Sequence, residues 1–400
     1  MSTSLNIPAG GYIGIFNDSL PPVVDGVSLA VENYVKWLRD KGHTPLVVSP
    51  FNPAAKNHRY PFDILTFFSL PILNRKPYRY GYPKLDPFIW RKLRHTPFRL
   101  VHAHSPFATG RLGVYVKQKQ GVPLIGTFHS KYKSDLQHSL KHCSWMVPLI
   151  MKRILDFYNA CDEVWIPQAS VEETVREYGY RGPLTVVENG NDLCSESENG
   201  LSLRRATLRK EAGIPESALS LLFVGQHIWE KGIGIIVDAL RLIRDDVDFR
   251  MNFIGAGYAS SEIQKRVRDY GLADKITFHG IVHDRGALAR HYAAADMFLF
   301  PSFYDNAPLV VREAAAMGCP SLLLKGSTAS EVITDHENGF LTERTPEDYA
   351  RALRILASDR PALEQAGMQA RRTLTRSWEN VLEEVIDRYE SLLRRYNRKG

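Results

Sequence analysis

Cysteine is scarce in this 400-residue chain: four residues, Cys143, Cys161, Cys194 and Cys319, with no Cys-x-x-Cys pair among them. That spacing excludes a zinc ribbon or a disulfide framework and reads as free thiols in a reducing compartment. Long apolar runs are missing as well. No stretch approaches the ~18 residues needed to cross a bilayer, and the longest, Cys143 to Met151, is about half of one. The opening MSTSLNIPAGG carries no basic leader and no small-residue cleavage site, so no signal peptide is expected and the predicted address is cytoplasmic. Acidic residues nearly vanish between Lys56 and Arg153, where Asp63, Asp86 and Asp135 stand against 18 Lys and Arg, a net of +15. The whole chain nets +7, so the remainder carries −8. Such a segment is an electrostatic footprint for an anionic partner: a membrane surface, nucleic acid or a phosphorylated substrate. With 44% hydrophobic and 24% charged residues, the chain is neither disordered nor fibrous, and its length suggests two or three domains.

What is present is an alternation of short apolar strands with amphipathic helical stretches. In the first half the strands read YIGIF (12–16), PLVVS (45–49), DILTFF (63–68), LVHAH (100–104), PLIGTF (123–128) and EVWIP (163–167). In the second half LLFVG (221–225), FRMNFIG (249–255), KITFHG (275–280), MFLFPS (297–302) and SLLLKG (321–326) repeat the pattern. Between the first two strands, Val27–Asp40 places Leu29, Val31, Tyr34, Val35 and Leu38 largely on one face and ends in Lys41-Gly42, a basic last turn before a C-cap glycine. Near-continuous apolar strands separated by helices predict parallel sheets covered on both faces. The fold class is therefore α/β, two facing doubly wound, Rossmann-like domains with ligand loops at the carboxyl ends of their strands and a ligand cleft between them. The polar stretch Cys194–Ser202 suggests the break, giving an N-terminal domain (1–198) and a C-terminal domain (199–376). A last helix (377–400) is expected to pack back on the first.

The densest chemical signal is Pro301-Ser-Phe-Tyr-Asp305-Asn-Ala-Pro-Leu309-Val-Val-Arg-Glu313. A loop holds Asp305, a helix opening at Leu309 carries Glu313, and the eight-residue spacing can aim both carboxylates at one polyol. The plainer reading is a helix capped by Asp305 or Asn306 with Glu313 solvated. Second comes Phe223-Val-Gly225-Gln226-His-Ile-Trp-Glu-Lys231-Gly232, where a lysine and free backbone N–H groups meet ahead of a helix, a plausible diphosphate site. Standing alone, Lys231 reads first as a solvated loop lysine. Lys325-Gly-Ser327-Thr328-Ala329-Ser-Glu331 follows a strand and is expected to open a helix with small residues that let an anion approach. Gly255-Ala-Gly257 follows another strand, a weak glycine fingerprint. In the first half, Asn17 to Gly26 joins the first strand to the first helix, while His102, His104 and His129 sit at strand ends. Two histidines alternating on one strand lack a third ligand, so no metal site is assigned. Asp246-Val-Asp248 mimics the D-x-D of metal-dependent sugar transferases but falls between a helix and a strand, at the wrong edge of the sheet, and reads as a solvated turn.

Taken in this order, these motifs resemble the retaining glycosyltransferases of family 4, which have the GT-B fold. The likeness spans essentially the whole chain and is most specific at Asp305–Gly318. It is supported by Gly225–Gly232, Gly255–Gly257, Tyr292–Ser302 (YAAADMFLFPS), Val187–Asp192 (VENGND) and Asp25-Gly26-Val27. The resemblance implies that the paired acids of that family fall on Asp305 and Glu313, its phosphate-binding lysine on Lys231, its diphosphate-side backbone loop on Ser327–Glu331 and its sugar-side histidine on His129. It implies binding positions at Gly26, Gly225, Gln226, Gly255, Gly257, Ser327, Thr328 and Leu309, with no metal and no cofactor beyond a nucleotide-diphosphate sugar, UDP- or GDP-linked, as co-substrate. Three departures stand out. Asp305 replaces the usual Glu, Asn306-Ala307-Pro308 replaces Gly-Phe-Gly, and Gln226 replaces an arginine, leaving Arg312 and Lys325 as the basic residues available to restore the lost cation.

The activity implied is metal-independent, retaining transfer of a hexose to an acceptor such as a lipid-linked sugar or a polysaccharide precursor. A second class of reading fits the departures: a catalytically degenerate basic protein that engages nucleic acid or another protein. Basic and aromatic residues interleave through Arg75–Tyr82 and Phe88–Arg94, and WMVPLIM (145–151) lies between cationic flanks. This pattern suits an anionic membrane surface, as a peripheral rather than spanning protein, and makes nucleic acid a lesser expectation.

Overall fold

The computed structural model describes residues 10–21, 23, 25–56, 60–72, 78–140, 143–193 and 198–398. The chain divides into two compact units, Met1–Gly190 with Trp378–Gly400, and Asn191–Ser377. Each unit has its own hydrophobic core. The strands of the first are β1 (Tyr12–Phe16), β2 (Pro45–Pro50), β3 (Asp63–Phe67), β4 (Ser69–Pro71), β5 (Arg79–Gly81), β6 (Phe98–Ala103), β7 (Leu124–Thr127), β8 (Glu163–Ile166) and β9 (Leu184–Val186). Those of the second are β10 (Leu219–Val224), β11 (Phe249–Ile254), β12 (Ile276–Phe278), β13 (Met297–Phe300), β14 (Ser321–Leu324) and β15 (Phe340–Thr342).

Seven strands form the first sheet in the order β3-β2-β1-β6-β7-β8-β9, and six form the second in the order β12-β11-β10-β13-β14-β15. Every pairing in both is parallel. The two sheets are doubly wound, as their runs of buried apolar residues require. β10 and β2 are buried at every position, which a sheet covered on one face only would not allow. The strand order reverses between β1 and β6 in the first sheet and between β10 and β13 in the second. Loops leaving the carboxyl ends of these neighbours part to opposite faces and open a crevice, where ligands of doubly wound sheets bind.

Three features differ from the sequence reading. The short strands β9 and β15 at the sheet edges, and the antiparallel β4–β5 hairpin, carry too few apolar residues to stand out in a periodicity count. Of the expected break at Cys194–Ser202, residues 194–197 lie outside the described residues, and the chain is already helical from Glu198 to Glu211. The helix expected after Lys325 is only a 3₁₀ turn, Thr328–Val332. Pro22, Val24, Arg75, Lys76 and Lys141, from the loop and basic stretches noted above, also lie outside the described residues.

The helix Gly26–Asp40 starts on a capping box, in which the Asp25 carboxylate accepts from Ser28 N and Ser28 Oγ accepts from Asp25 N. It packs against the C-terminal helix Trp378–Asn397. Lys41 bridges Glu379 and Glu383 at 3.2 and 2.6 Å, and Arg99 reaches Glu390 at 2.8 Å. Beneath these exposed pairs the Trp378 ring meets Tyr34, the Tyr389 ring stacks on Trp165, and the Tyr389 hydroxyl lies 2.6 Å from His102 Nδ1. Burial, not the surface pairs, supplies most of this docking. Tyr389→Phe strands one buried ring nitrogen and should lower stability by about 1.5 kcal/mol, read as a fall in the thermal unfolding midpoint with the circular dichroism of the folded protein unchanged.

Candidate functional site

At the reversal point of the second sheet the loops after β10 and β13 are drawn together by a missing side chain. Gly232 has φ of +73°, and a Cβ there would lie 2.2 Å from the Pro301 carbonyl oxygen. Only glycine allows that approach. The contact sets Lys231, in the 3₁₀ turn Trp229–Lys231 ahead of the helix Ile233–Ile243, beside Asp305. Lys231 Nζ lies 2.5 Å from Asp305 Oδ1, with side-chain exposures of 12% and 17%. The second Asp305 oxygen accepts from Ser302 Oγ at 2.6 Å, and that same hydroxyl oxygen accepts from the N–H groups of Tyr304 and Asp305. The ammonium also lies 5.3 Å from the Phe300 ring centroid and 5.9 Å from that of Tyr304. Lys231 is thus neither solvated nor loose.

Glu313 has a different environment. It sits on the helix Leu309–Ala316 and is 4% exposed. Arg285 Nη2 donates to Oε1 at 2.7 Å and the Tyr292 hydroxyl donates to Oε2 at 2.9 Å. Arg285 is in turn held by Asp192 through two further bonds, at 3.0 and 2.5 Å. Burial alone works against the guanidinium charge, yet Glu313 and Asp192 raise its pKa above the ordinary arginine value. Neither capping proposal holds: the helix is preceded by Pro308 with no side-chain cap. Each carboxylate has a separate cation, so what the spacing suggested as one pair is two ion pairs.

The remaining predicted positions fall on loops at the same strand ends. Gly225 and Gln226 follow β10, and Gly255 and Gly257 follow β11. A Cβ on Gly255 would lie 1.9 Å from the Gly225 carbonyl oxygen, and one on Gly257 2.4 Å from that of His227. These glycines therefore serve loop-on-loop packing. Ser327 caps the turn containing Thr328 and Ala329, and its Oγ is buried with no hydrogen-bond partner among the described residues. Arg312 is directed to the Leu374 carbonyl at 3.2 Å, and Lys325 is an exposed partner of Glu343. Beside these loops a cavity of about 340 Å³ is lined by Trp229, Glu230, Pro301, Phe303 and Arg344, among others. Asp246 and Asp248 are surface partners of Arg354 and Arg250, in keeping with a turn.

In the first unit Gly26 opens its helix behind Asp25. The preceding loop is anchored by Asp18, which accepts from Ser105 Oγ at 2.5 Å and from Thr109 N at 3.1 Å. Burial pushes the Asp18 carboxyl up, against those bonds. His102 and His104 do share a face, with ring centroids 4.1 Å apart. Both ring nitrogens of His102 are engaged, by Tyr389 and by Thr127 Oγ1 at 2.6 Å. His104 Nδ1 lies 3.1 Å from His129 Nε2. Burial holds His102 and His104 well below the usual histidine range and pulls His129 down to about 4.

Sequence reasoning missed Arg285, and gave no role to Ser302 and Asp18 although both lay inside quoted stretches. Tyr292 and Asp192 lay inside quoted motifs without a role assigned, whereas Arg285 stands in no motif and meets Glu313 only through the fold.

Residues 24–194 match the family described as glycosyltransferase family 4, and residues 204–373 match glycosyl transferases group 1. The chain belongs to these glycosyltransferases. Among relatives, an alpha-monoglucosyldiacylglycerol synthase of Acholeplasma laidlawii is 23% identical over 84% of this chain and 85% of its own. A D-inositol 3-phosphate glycosyltransferase of Streptomyces avermitilis is 28% identical over 78% of this chain and 69% of its own. Among solved structures, Anabaena HepE in complex with UDP and glucose superposes with a TM-score of 0.75 at 18% identity, covering 95% of this chain and 100% of that one. Sucrose-phosphate synthase of Thermosynechococcus elongatus gives 0.77 at 20%, covering 95% and 99%. The fold is GT-B. The glycosyltransferase is therefore an enzyme, and the comparisons do not favour the alternative of a non-catalytic binding protein.

The desolvated imidazoles of this glycosyltransferase give its stability a pH dependence. His129 and His227 are both drawn to about 4 by burial. Unfolded, each takes up its proton near 6.5, so their contribution is complete above that pH and is lost as the pH falls toward 4. Thermal unfolding followed from pH 7 to 4 should show a falling midpoint, with a shallower fall in His129→Gln.

Proposed function

We propose that this glycosyltransferase transfers a hexose from a nucleotide-diphosphate sugar to a lipid-linked or polysaccharide-type acceptor, retaining configuration and requiring no metal ion. The observation that carries the reading is the junction of Lys231 and Asp305 at the reversal point of the second sheet, where a cation for phosphate and a carboxylate for sugar hydroxyls lie side by side. In this reading the diphosphate meets Lys231 and the backbone N–H groups around Ser327–Ala329. Asp305 accepts from donor-sugar hydroxyls and Glu313 lies at the ribose. The remaining positions, Gly225, Gln226, Gly255, Gly257, Thr328 and, in the first turn of its helix, Leu309, complete the nucleotide side.

The bond from sugar carbon 1 to the phosphate oxygen breaks through an oxocarbenium-like state. The acceptor hydroxyl attacks from the face the phosphate leaves, and its proton passes to the departing phosphate oxygen. The products are the glycoside and a nucleoside diphosphate. Negative charge grows on the leaving group, and Lys231 neutralises it in place of a metal ion. His129, kept neutral by burial, serves as a hydrogen-bonding group and not as a cation. HepE was solved with UDP and glucose, which supports a UDP-linked donor. Transfer assayed with radiolabelled nucleotide sugars should persist in EDTA and fall about a hundredfold in Lys231→Ala; abolition by EDTA, or full activity in the variant, would overturn the mechanism.

The acceptor side of the reading rests on the surface of the first unit. The helices Pro87–His95, Ala108–Gln120 and Met146–Ala160 pack in that order, each on the next. Phe88 and Trp145 on the outer two are 71% and 74% exposed, and Leu85 and Leu149 are exposed beside them. Lys84, Arg91, Lys92, Arg94, Lys152 and Arg153 are exposed around these side chains. Val147 is buried and Met146 and Ile150 half-buried, so only one side of the WMVPLIM segment belongs to the core. Apolar tips among cations suit a peripheral enzyme on the anionic cytoplasmic face of a membrane, and no helix among the described residues is long and apolar enough to cross one. The names of relatives that make glucosyldiacylglycerols support the same acceptor class. The protein should co-sediment with phosphatidylglycerol vesicles at low salt, and Phe88→Ser with Trp145→Ser should weaken that binding at least about tenfold.

A further inference from the structure

We propose that the Lys231–Asp305 ion pair makes the site discriminate against free nucleoside diphosphate in favour of the intact nucleotide sugar. The proposal rests on the reading of Lys231 as the phosphate-binding cation and Asp305 as the sugar-binding carboxylate. Without ligand, the two are joined at 2.5 Å and mostly buried. The carboxylate is pinned at both oxygens, by Lys231 on one side and by the Ser302 hydroxyl at 2.6 Å on the other. Ser302 is itself fixed by the backbone N–H groups of Tyr304 and Asp305. Gly232 lies against the Pro301 carbonyl, so the two loops that carry the pair are already in contact at its base. A diphosphate that takes up Lys231 therefore brings its own negative charge against a carboxylate that stays where it is.

The two ligands differ in what they return to Asp305. A free nucleoside diphosphate offers no hydrogen-bond donor in place of Lys231, so it meets like-charge repulsion and leaves a mostly buried carboxylate short of a partner. A nucleotide sugar carries one fewer ionisable phosphate oxygen and supplies hydroxyl donors that the freed oxygen of Asp305 accepts. The same carboxylate thus opposes the product and assists the donor. Being one methylene shorter than glutamate, Asp305 has one fewer rotatable bond with which to swing clear. Release of the diphosphate after transfer is favoured by the same repulsion, at the step that often limits turnover.

The test is isothermal titration of the full chain with two ligand pairs, UDP against UDP-glucose and GDP against GDP-mannose, in the wild type, Asp305→Asn and Lys231→Ala. For the pair that binds, Asp305→Asn should bind the free diphosphate about fivefold more tightly and the sugar conjugate no more tightly, so that the preference for the conjugate collapses. Asp305→Glu, which keeps the charge, should retain a preference for the conjugate. Ser302→Ala, which loosens the carboxylate without removing it, should shift the preference in the same direction by less, and stands in if Asp305→Asn unfolds. Equal changes for diphosphate and conjugate in Asp305→Asn, or weaker diphosphate binding, would overturn the proposal while leaving Lys231 as the phosphate site. Wild-type affinity for the diphosphate in Lys231→Ala would overturn the underlying reading and the proposal with it.

Discussion

The backbone of Gly232 against the carbonyl of Pro301 is the contact on which the site depends. It joins the loop that leaves β10 to the loop that leaves β13, and so brings Lys231 to Asp305 across 74 positions of sequence. A second contact of the same kind, Gly255 against the Gly225 carbonyl, ties the loop after β11 to the first of these. Three strand-end loops are thus stacked through side chains that are not there. Rigid strands beneath and close-packed backbone above leave little slack for the functional groups they carry.

Two carboxylates eight residues apart have acquired opposite characters. Glu313 is enclosed, with a cation and a phenol donating to its two oxygens and a second carboxylate behind the cation. Removing any one of these leaves a buried charge without its partner, which favours a fixed arrangement. Asp305 is bound by one lysine and one hydroxyl, with 17% of its side chain exposed. Glu313 is part of the frame, and in the proposed reading Asp305 gives up its lysine to the ligand.

Much of the fold was legible because burial on both faces of a parallel sheet writes itself as continuous apolar runs such as LSLLFV and MFLF. The edge strands β9 and β15 and the β4–β5 hairpin left no such trace, since three residues do not make a run. Within the site, Lys231, Asp305 and the glycines were marked by strand-loop-helix spacing and by the family resemblance. Arg285 was not, because its meeting with Glu313 depends on how two helices pack, which no local pattern encodes. The same holds for Asp18, whose partners Ser105 and Thr109 come from the far side of the reversal point in the first sheet. His102 and His104 were read correctly as sharing a face, but the hydroxyls of Thr127 and Tyr389 that occupy the His102 nitrogens come from other elements.

The helix Trp378–Asn397 has a consequence for how the chain is made. It belongs to the first unit, although the whole of the second unit lies between them in sequence. A ribosome therefore completes the second unit before it releases the piece that covers Tyr34, His102 and Trp165. The usual vectorial order, in which the N-terminal domain closes first, is reversed: Asn191–Ser377, continuous and with a core of its own, is whole before the first unit is. The first unit waits, its sheet laid down early and one face left open until the helix Trp378–Asn397 emerges.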